Sequence, residues 1–245
     1  MKMALEINEL SKNYDSFHLD SISFNVPMGK IVGLIGANGA GKTTTLNLIQ
    51  NNIRKDSGQV LFFGNPSEDR LPQSVAVVAD TILYDETWSI SQLSKIVQKF
   101  HKNWDNMEFE RLLGKFRLAA GKKISQLSKG MGIKLMIAVA IAQNARLLIL
   151  DEPTSGLDPM ARDDICQILL DFVAEGDKSV LLSTHITHDL EKAADEVVFL
   201  VNGQVRLNDR KHSILEKHSN DRLKTLDDII LHLHEGKWAA DGQGA

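Results

Sequence analysis

The sequence predicts an α/β fold with a parallel sheet at its core, and three observations predict it. Ile31–Ile35 and Leu147–Leu150 are almost unbroken apolar runs, as strands covered on both faces are. Four such runs end on polar, site-type residues: Ile31–Ile35 on a glycine loop, Val75–Ala79 on Asp80, Leu147–Leu150 on Asp151 and Glu152, and Val180–Leu182 on Ser183, Thr184 and His185. Between the runs, apolar residues recur with the helical period. Ligands of open parallel sheets sit at the carboxyl ends of the strands, so the four ends predict one shared crevice.

The first stretch reads as β. Ala4–Leu10 and Ile22–Val26 alternate as half-buried strands, and Val60–Phe63 is a further short one. A helix is expected from about Lys42, with Leu46, Ile49 and Ile53 on one side. From Asp80 to Arg146 the pattern is helical. Leu93, Ile96, Val97 and Phe100 share one face, as do Phe109, Leu112, Leu113 and Phe116, and Leu135–Ala142 is apolar all round and so buried. This reads as an inserted helical lobe, about 81–144, between core segments of about 1–80 and 145–215. A helix over about 161–175 turns Ile165, Ile168, Leu169 and Phe172 inward. Val197–Val201, Asn202-Gly203 and Gln204–Leu207 spell a hairpin, and Leu226, Ile229, Ile230 and Leu233 a last helix. The tail over 236–245 is expected to be flexible.

Bulk properties narrow the function classes. The 245 residues carry a net charge of −4 with 43% apolar residues, ordinary globular composition without the basic surface of a nucleic-acid binder. The longest apolar run, Leu135–Ala142, falls far short of the ~20 residues of a membrane helix, and no secretory leader is read at the start. A cytoplasmic chain is expected. The single cysteine, Cys166, sits in an amphipathic pattern and reads as a small buried side chain. His232 and His234 diverge on a helix and make a poor metal pair.

The stretch Gly36-Ala37-Asn38-Gly39-Ala40-Gly41-Lys42-Thr43 fills every specified position of the phosphate-loop pattern G-x-x-x-x-G-K-[ST]. Its glycines let successive N–H groups turn inward around an anion, and the following helix adds its positive end. Lys42 can reach the β and γ phosphates and Thr43 can ligate Mg²⁺. Asp151 suits a hard cation, and Glu152, one residue beyond, can polarise a water. His185 at a core strand end is a candidate γ-phosphate contact. Together these are the parts that nucleoside triphosphate hydrolysis needs.

Across about residues 4–235 the order of motifs resembles the nucleotide-binding subunit of ATP-binding cassette (ABC) transporters. Leu127-Ser128-Lys129-Gly130-Met131 is similar to the family signature L-S-G-G-Q, Ser155-Gly156-Leu157-Asp158 to its D-loop, His185 to its switch histidine, and Tyr14 to the aromatic that stacks on adenine. The resemblance implies a P-loop cassette with a RecA-like parallel core, an antiparallel β-subdomain and an inserted helical subdomain, one ATPase unit over 1–235. It implies ATP and Mg²⁺ as cofactors: Tyr14, Gly36, Asn38, Gly39, Ala40, Gly41, Lys42, Thr43 and Thr44 hold nucleotide, and Ser128 and Gly130 act on it from a second cassette. Thr43 and Asp151 hold the metal, with Glu152 and His185 catalytic. The implied partners are a second cassette, identical or not, and integral membrane subunits at the inner face of the cell membrane, with no nucleic acid.

Two departures from the family pattern stand out. Lys129 replaces a signature glycine and either adds charge at the phosphate or points to solvent, the second being favoured. Asp80 stands where the family has glutamine; an acid there can hold Mg²⁺ through water but brings negative charge beside the phosphates. The form L-S-K-G-M, with Asn103-Trp104-Asp105, is similar to a bacterial branch exporting peptides, antibiotics or other envelope-active compounds. The alternative is a weakly hydrolysing ATP-binding switch in a membrane complex, supported by the same two departures. A chromosome- or ribosome-acting ATPase would need a coiled-coil insertion or a second cassette, and a small-molecule kinase would lack the Leu-Ser-x-Gly segment.

Overall fold

A computed structural model describes residues 2–67, 70–82, 84–218, 223 and 225–234. The expected tail, with Trp238, lies outside them. Strands β1 (Met3–Tyr14), β2 (Phe17–Pro27), β4 (Ser57–Phe62) and β5 (Asn65–Pro66) form an antiparallel sheet in the order β2-β1-β4-β5. Strands β3 (Ile31–Ile35), β6 (Val75–Val78), β7 (Leu147–Asp151), β8 (Ser179–Thr184), β9 (Glu196–Val201) and β10 (Gln204–Arg210) form the second sheet, in the order β10-β9-β3-β8-β7-β6. All its pairings are parallel except the β9–β10 hairpin.

The unbroken apolar runs are explained by cover on both faces. Val32, Leu34, Leu147, Ile149 and Leu181 pack towards the antiparallel sheet and α1 (Lys42–Ile49). Their neighbours Ile31, Ile35, Leu148, Leu150, Val180 and Leu182 pack into a second core with the remaining helices. The period of two sends alternate side chains to opposite faces, so both sets must be apolar.

Between β6 and β7 run α2 (Ile90–Val97), α3 (Asn106–Lys115) and α4 (Lys129–Ala142). Their starts are set by local chemistry. Ser89 accepts from Gln92 N in a full capping box, Asp105 accepts from Glu108 N, and Ser128 accepts from Met131 N. In α4 every residue from Leu135 to Ala142 except Ile141 is buried, as its all-round apolarity predicts. Helix α5 (Pro159–Val173) starts at Asp158, which accepts from Ala161 N, with Pro159 in the first turn. Helices α6 (Thr187–Ala193), α7 (Lys211–His218) and α8 (Leu226–His234) are the remaining described helices. Cys166 is buried, and burial pushes its thiol up to about 12. Among the described residues no helix is long and apolar enough to cross a membrane.

Two expected helical faces stop short. Helix α1 ends at Ile49, where Asn51 turns left-handed (φ 58°), so Ile53 packs on the core from the loop beyond. Helix α2 ends at Val97, and Phe100 is 76% exposed rather than inward. Phe109, 2% exposed, lies instead against Trp104 with ring centroids 5.0 Å apart. Phe109→Ala is therefore expected to cost about 3–5 kcal/mol, and Phe100→Ala to stay within about 0.5 kcal/mol, in urea unfolding.

Candidate active site

The register of β3, β8 and β7 sets the site. Ile35 pairs with Thr184 and Asp151 with Ser183, so the glycine loop, the acidic pair and His185 leave neighbouring strands at one level. They open on a cleft of about 760 Å³. Asn38, Gly39, Gly41, Lys42, Thr43 and Thr44 of the glycine loop line it, together with Tyr14, Asp80, Glu152 and His185.

The glycine loop folds as it does because other residues would not fit. Gly39 and Gly41 are left-handed (φ 82° and 111°). A Cβ on Gly36 would stand 2.4 Å from the carbonyl oxygen of Leu200. Ala40 is buried beneath the loop, its carbonyl accepting from Gly203 N at the tip of the β9–β10 hairpin. Lys42 opens α1 and is only 6% exposed. Its ammonium donates to Gly36 O at 2.7 Å and Ala37 O at 3.4 Å, and stands 3.4 Å from Glu152 Oε1.

Glu152 is itself left-handed (φ 48°), with its N–H donating to Ser183 O. That turn carries its carboxylate off the strand end and over the cleft. Oε2 meets His185 Nδ1 at 2.7 Å and accepts from His185 N at 3.3 Å. Lysine, carboxylate and imidazole thus form one chain across the mouth of the phosphate loop. Asp151 lies behind it, facing a neighbouring groove beside Tyr84 and Gln143. Burial raises its carboxyl above the usual range, and the charges of Glu152 and Asp80 add to that. Its Oδ1 is buried without a hydrogen-bond partner among the described residues. Such an oxygen fits a hard cation that shares phosphate ligands. Among the described residues no three His, Cys, Asp or Glu side chains converge as a self-contained metal site.

Ser128 and Gly130 do not line this cleft. They start α4, with Gly130 facing Leu157 and Ala161. Lys129 is exposed and reaches over Gly156, with Nζ 3.8 Å from where a Cβ would stand on that glycine. Sequence reasoning missed Ser16 and Phe17, which line the cleft beside Tyr14. Phe17 lies so near Gly41 that a Cβ there would meet its ring at 2.8 Å. The only signal was a second aromatic three residues after Tyr14.

A backbone anion cradle, a lysine, and a carboxylate–imidazole pair beside it can bind a triphosphate and direct water at its end. Comparison with known proteins agrees. The family model for ABC transporters matches residues 19–155. The ABC transporter ATP-binding protein YtrB of Bacillus subtilis (strain 168) is 33% identical over 199 residues, covering 80% of this chain and 68% of that protein. The lantibiotic transport ATP-binding protein SrtF of Streptococcus pyogenes is 31% identical over 207 residues, covering 83% of this chain and 89% of that protein. A solved ATP-binding subunit of an ABC transporter superposes with a TM-score of 0.80 at 29% identity, covering 94% of this chain and 99% of that one. The chain belongs to the ABC transporter family, as an ATP-binding subunit that hydrolyses ATP to drive transport.

Proposed function

We propose that the chain is one half of a pair of cassettes, identical or not, that closes on two ATP molecules. The pair drives integral membrane subunits from the inner face of the cell membrane, exporting a peptide, antibiotic or other envelope-active compound. The observation that carries this reading is the chain of contacts from Lys42 through Glu152 to His185 over the glycine loop. The position of Ser128 and Gly130 away from the cleft supports the pairing, because a second cassette, identical or not, could bring its signature segment there. The relative named for lantibiotic transport supports export. Residues 1–235 act as one ATPase unit, with the helical lobe of about 81–144 inserted in it.

In this reading Tyr14 stacks on adenine. Gly36, Asn38, Gly39, Ala40, Gly41 and Thr44 shape and line the cradle, and Lys42 moves from its carbonyl partners to the β and γ phosphates. Thr43 and Asp151 would hold Mg²⁺, with Asp80 as a further acidic group beside them. The metal, when bound, supplies positive charge against the charge developing on the phosphoryl oxygens. Glu152 orients and polarises the attacking water, and His185, fixed through Nδ1, presents its other nitrogen to the γ-phosphate. Most of the catalytic effect is positioning and charge stabilisation, as in phosphoryl transfer generally.

Glu152→Gln is expected to keep ATP affinity while steady-state hydrolysis falls by about 10² or more, and to accumulate an ATP-bound dimer on size exclusion. Undiminished hydrolysis would remove Glu152 from its role. Asp151→Asn separates stability from function. A carboxyl whose pKa is raised on folding is, once ionised at neutral pH, a burden on the folded state. The variant should therefore melt higher than the parent in EDTA, while Mg²⁺ should no longer raise its affinity for ATP. A lower melting point together with intact magnesium dependence would contradict both assignments.

A further inference from the structure

We propose that Asp189 is a positioning residue for the reaction: through Thr154 it holds His185 against Glu152. The inference rests on the roles given above to Glu152 and His185. Asp189 is 0% exposed and Thr154 is 1% exposed, and the Thr154 hydroxyl donates to Asp189 Oδ2. Neither residue touches the cleft. Thr154 lies two residues beyond Glu152, and Asp189 four residues beyond His185, so this buried contact joins the two loops that carry the reacting side chains.

The link closes a ring. From Asp189, its N–H donates to Ile186 O, and Ile186 N–H donates to the hydroxyl of Thr184, the last residue of β8. His185 is thereby held in a short bracket between a core strand and the first turn of α6. On the other side, Ser155 N donates to Glu152 O and Leu157 N to Thr154 O, so the loop after β7 is a tight pair of turns. The ring is completed where Glu152 Oε2 meets His185 Nδ1 at 2.7 Å.

That last contact cannot hold the geometry by itself. The His185 and Glu152 side chains are 45% and 20% exposed, and ion pairs open to water orient their partners weakly. A buried hydroxyl–carboxyl bond is the stiffer constraint. It also comes at a cost that packing alone does not explain. The second oxygen of Asp189 is buried with no hydrogen-bond partner among the described residues, and burial raises the carboxyl. The other buried residues of α6 are Leu190 and Ala193, so an apolar side chain would suit the helix better on packing grounds. Of the charged groups around it, Arg162 and His188 oppose the rise and Glu152 adds to it, and none donates to Oδ1. Polar groups retained against stability in this way are expected where geometry matters to the chemistry.

Thr154→Val removes the hydroxyl at nearly constant volume, and Thr154→Ser restores it. For each, kcat, ATP affinity by fluorescent-nucleotide binding, and the ¹⁵N resonances of the His185 ring in the nucleotide-free chain are measured. Thr154→Val should lower kcat about tenfold or more, leave ATP affinity within about twofold, and shift the Nδ1 resonance. Thr154→Ser should return all three to near the parent. Asp189→Asn, which keeps an acceptor for Thr154, should behave like Thr154→Ser. An unshifted His185 resonance in a folded Thr154→Val chain would overturn the proposal, as would equal losses in the Val and Ser variants or a fall in affinity that matches the fall in kcat. If instead parent turnover does not depend on Glu152, the proposed function fails, while the resonances still decide whether the ring positions His185.

Discussion

The site depends on the register of three parallel strands. Ile35 opposite Thr184 and Asp151 opposite Ser183 put a glycine loop, two carboxylates and an imidazole at one edge of the sheet. A slip of one residue in β7 or β8 would turn Asp151 or Thr184 to the opposite face and its apolar neighbours with it. Leu148 and Leu150 on one face and Leu147 and Ile149 on the other make such a slip costly, because each face has its own packed core. The sheet that gives stability is thus the same object that gives catalytic alignment.

Electrostatics explains the arrangement of the cleft. Lys42 is nearly buried, and an ammonium so placed needs partners. It finds them in the carbonyl groups of Gly36 and Ala37 and in the nearby Glu152. A triphosphate offers stronger, charged acceptors to the same side chain. Glu152 and Asp80 in the cleft and Asp151 behind it bring three carboxylates together, and among the described residues Lys42 is the cation set against them. That imbalance favours a metal-bound nucleotide over a bare one, and Asp80 strengthens the bias relative to a neutral amide at its position.

Much of this was legible in the sequence because parallel strands with two covered faces leave unbroken apolar runs. Ile31–Ile35, Leu147–Leu150 and Val180–Leu182 could be placed without coordinates, and the glycine loop and acidic pair stood at their ends. The helical faces of Leu93 and Val97 and of Phe109, Leu112 and Leu113 were legible through their period. Periodicity failed where a helix stopped early: Phe100 continues the pattern of α2 but lies past its end, and Ile53 stands beyond the left-handed Asn51. The outer part of β1, Ser11-Lys12-Asn13, carries no apolar alternation and is held by pairing with β2 and by the bond from Lys12 to Asp56. Phe17 in the cleft and Asp189 beneath it were illegible for a different reason. Their surroundings come from residues distant in the chain, and an aspartate in a first helical turn looks like an ordinary dipole partner until its burial is known.

Amide hydrogen exchange of the chain with and without a magnesium-bound, non-hydrolysable ATP analogue tests the account most directly. At low protein concentration the nucleotide should slow exchange at residues 36–45, 152–155 and 183–186. Slowing at residues 127–132 should join them only when the concentration lets two copies meet. Protection of 127–132 in dilute monomers, or protection that leaves 36–45 and 183–186 unchanged, would contradict a strand-end nucleotide site completed by a second cassette.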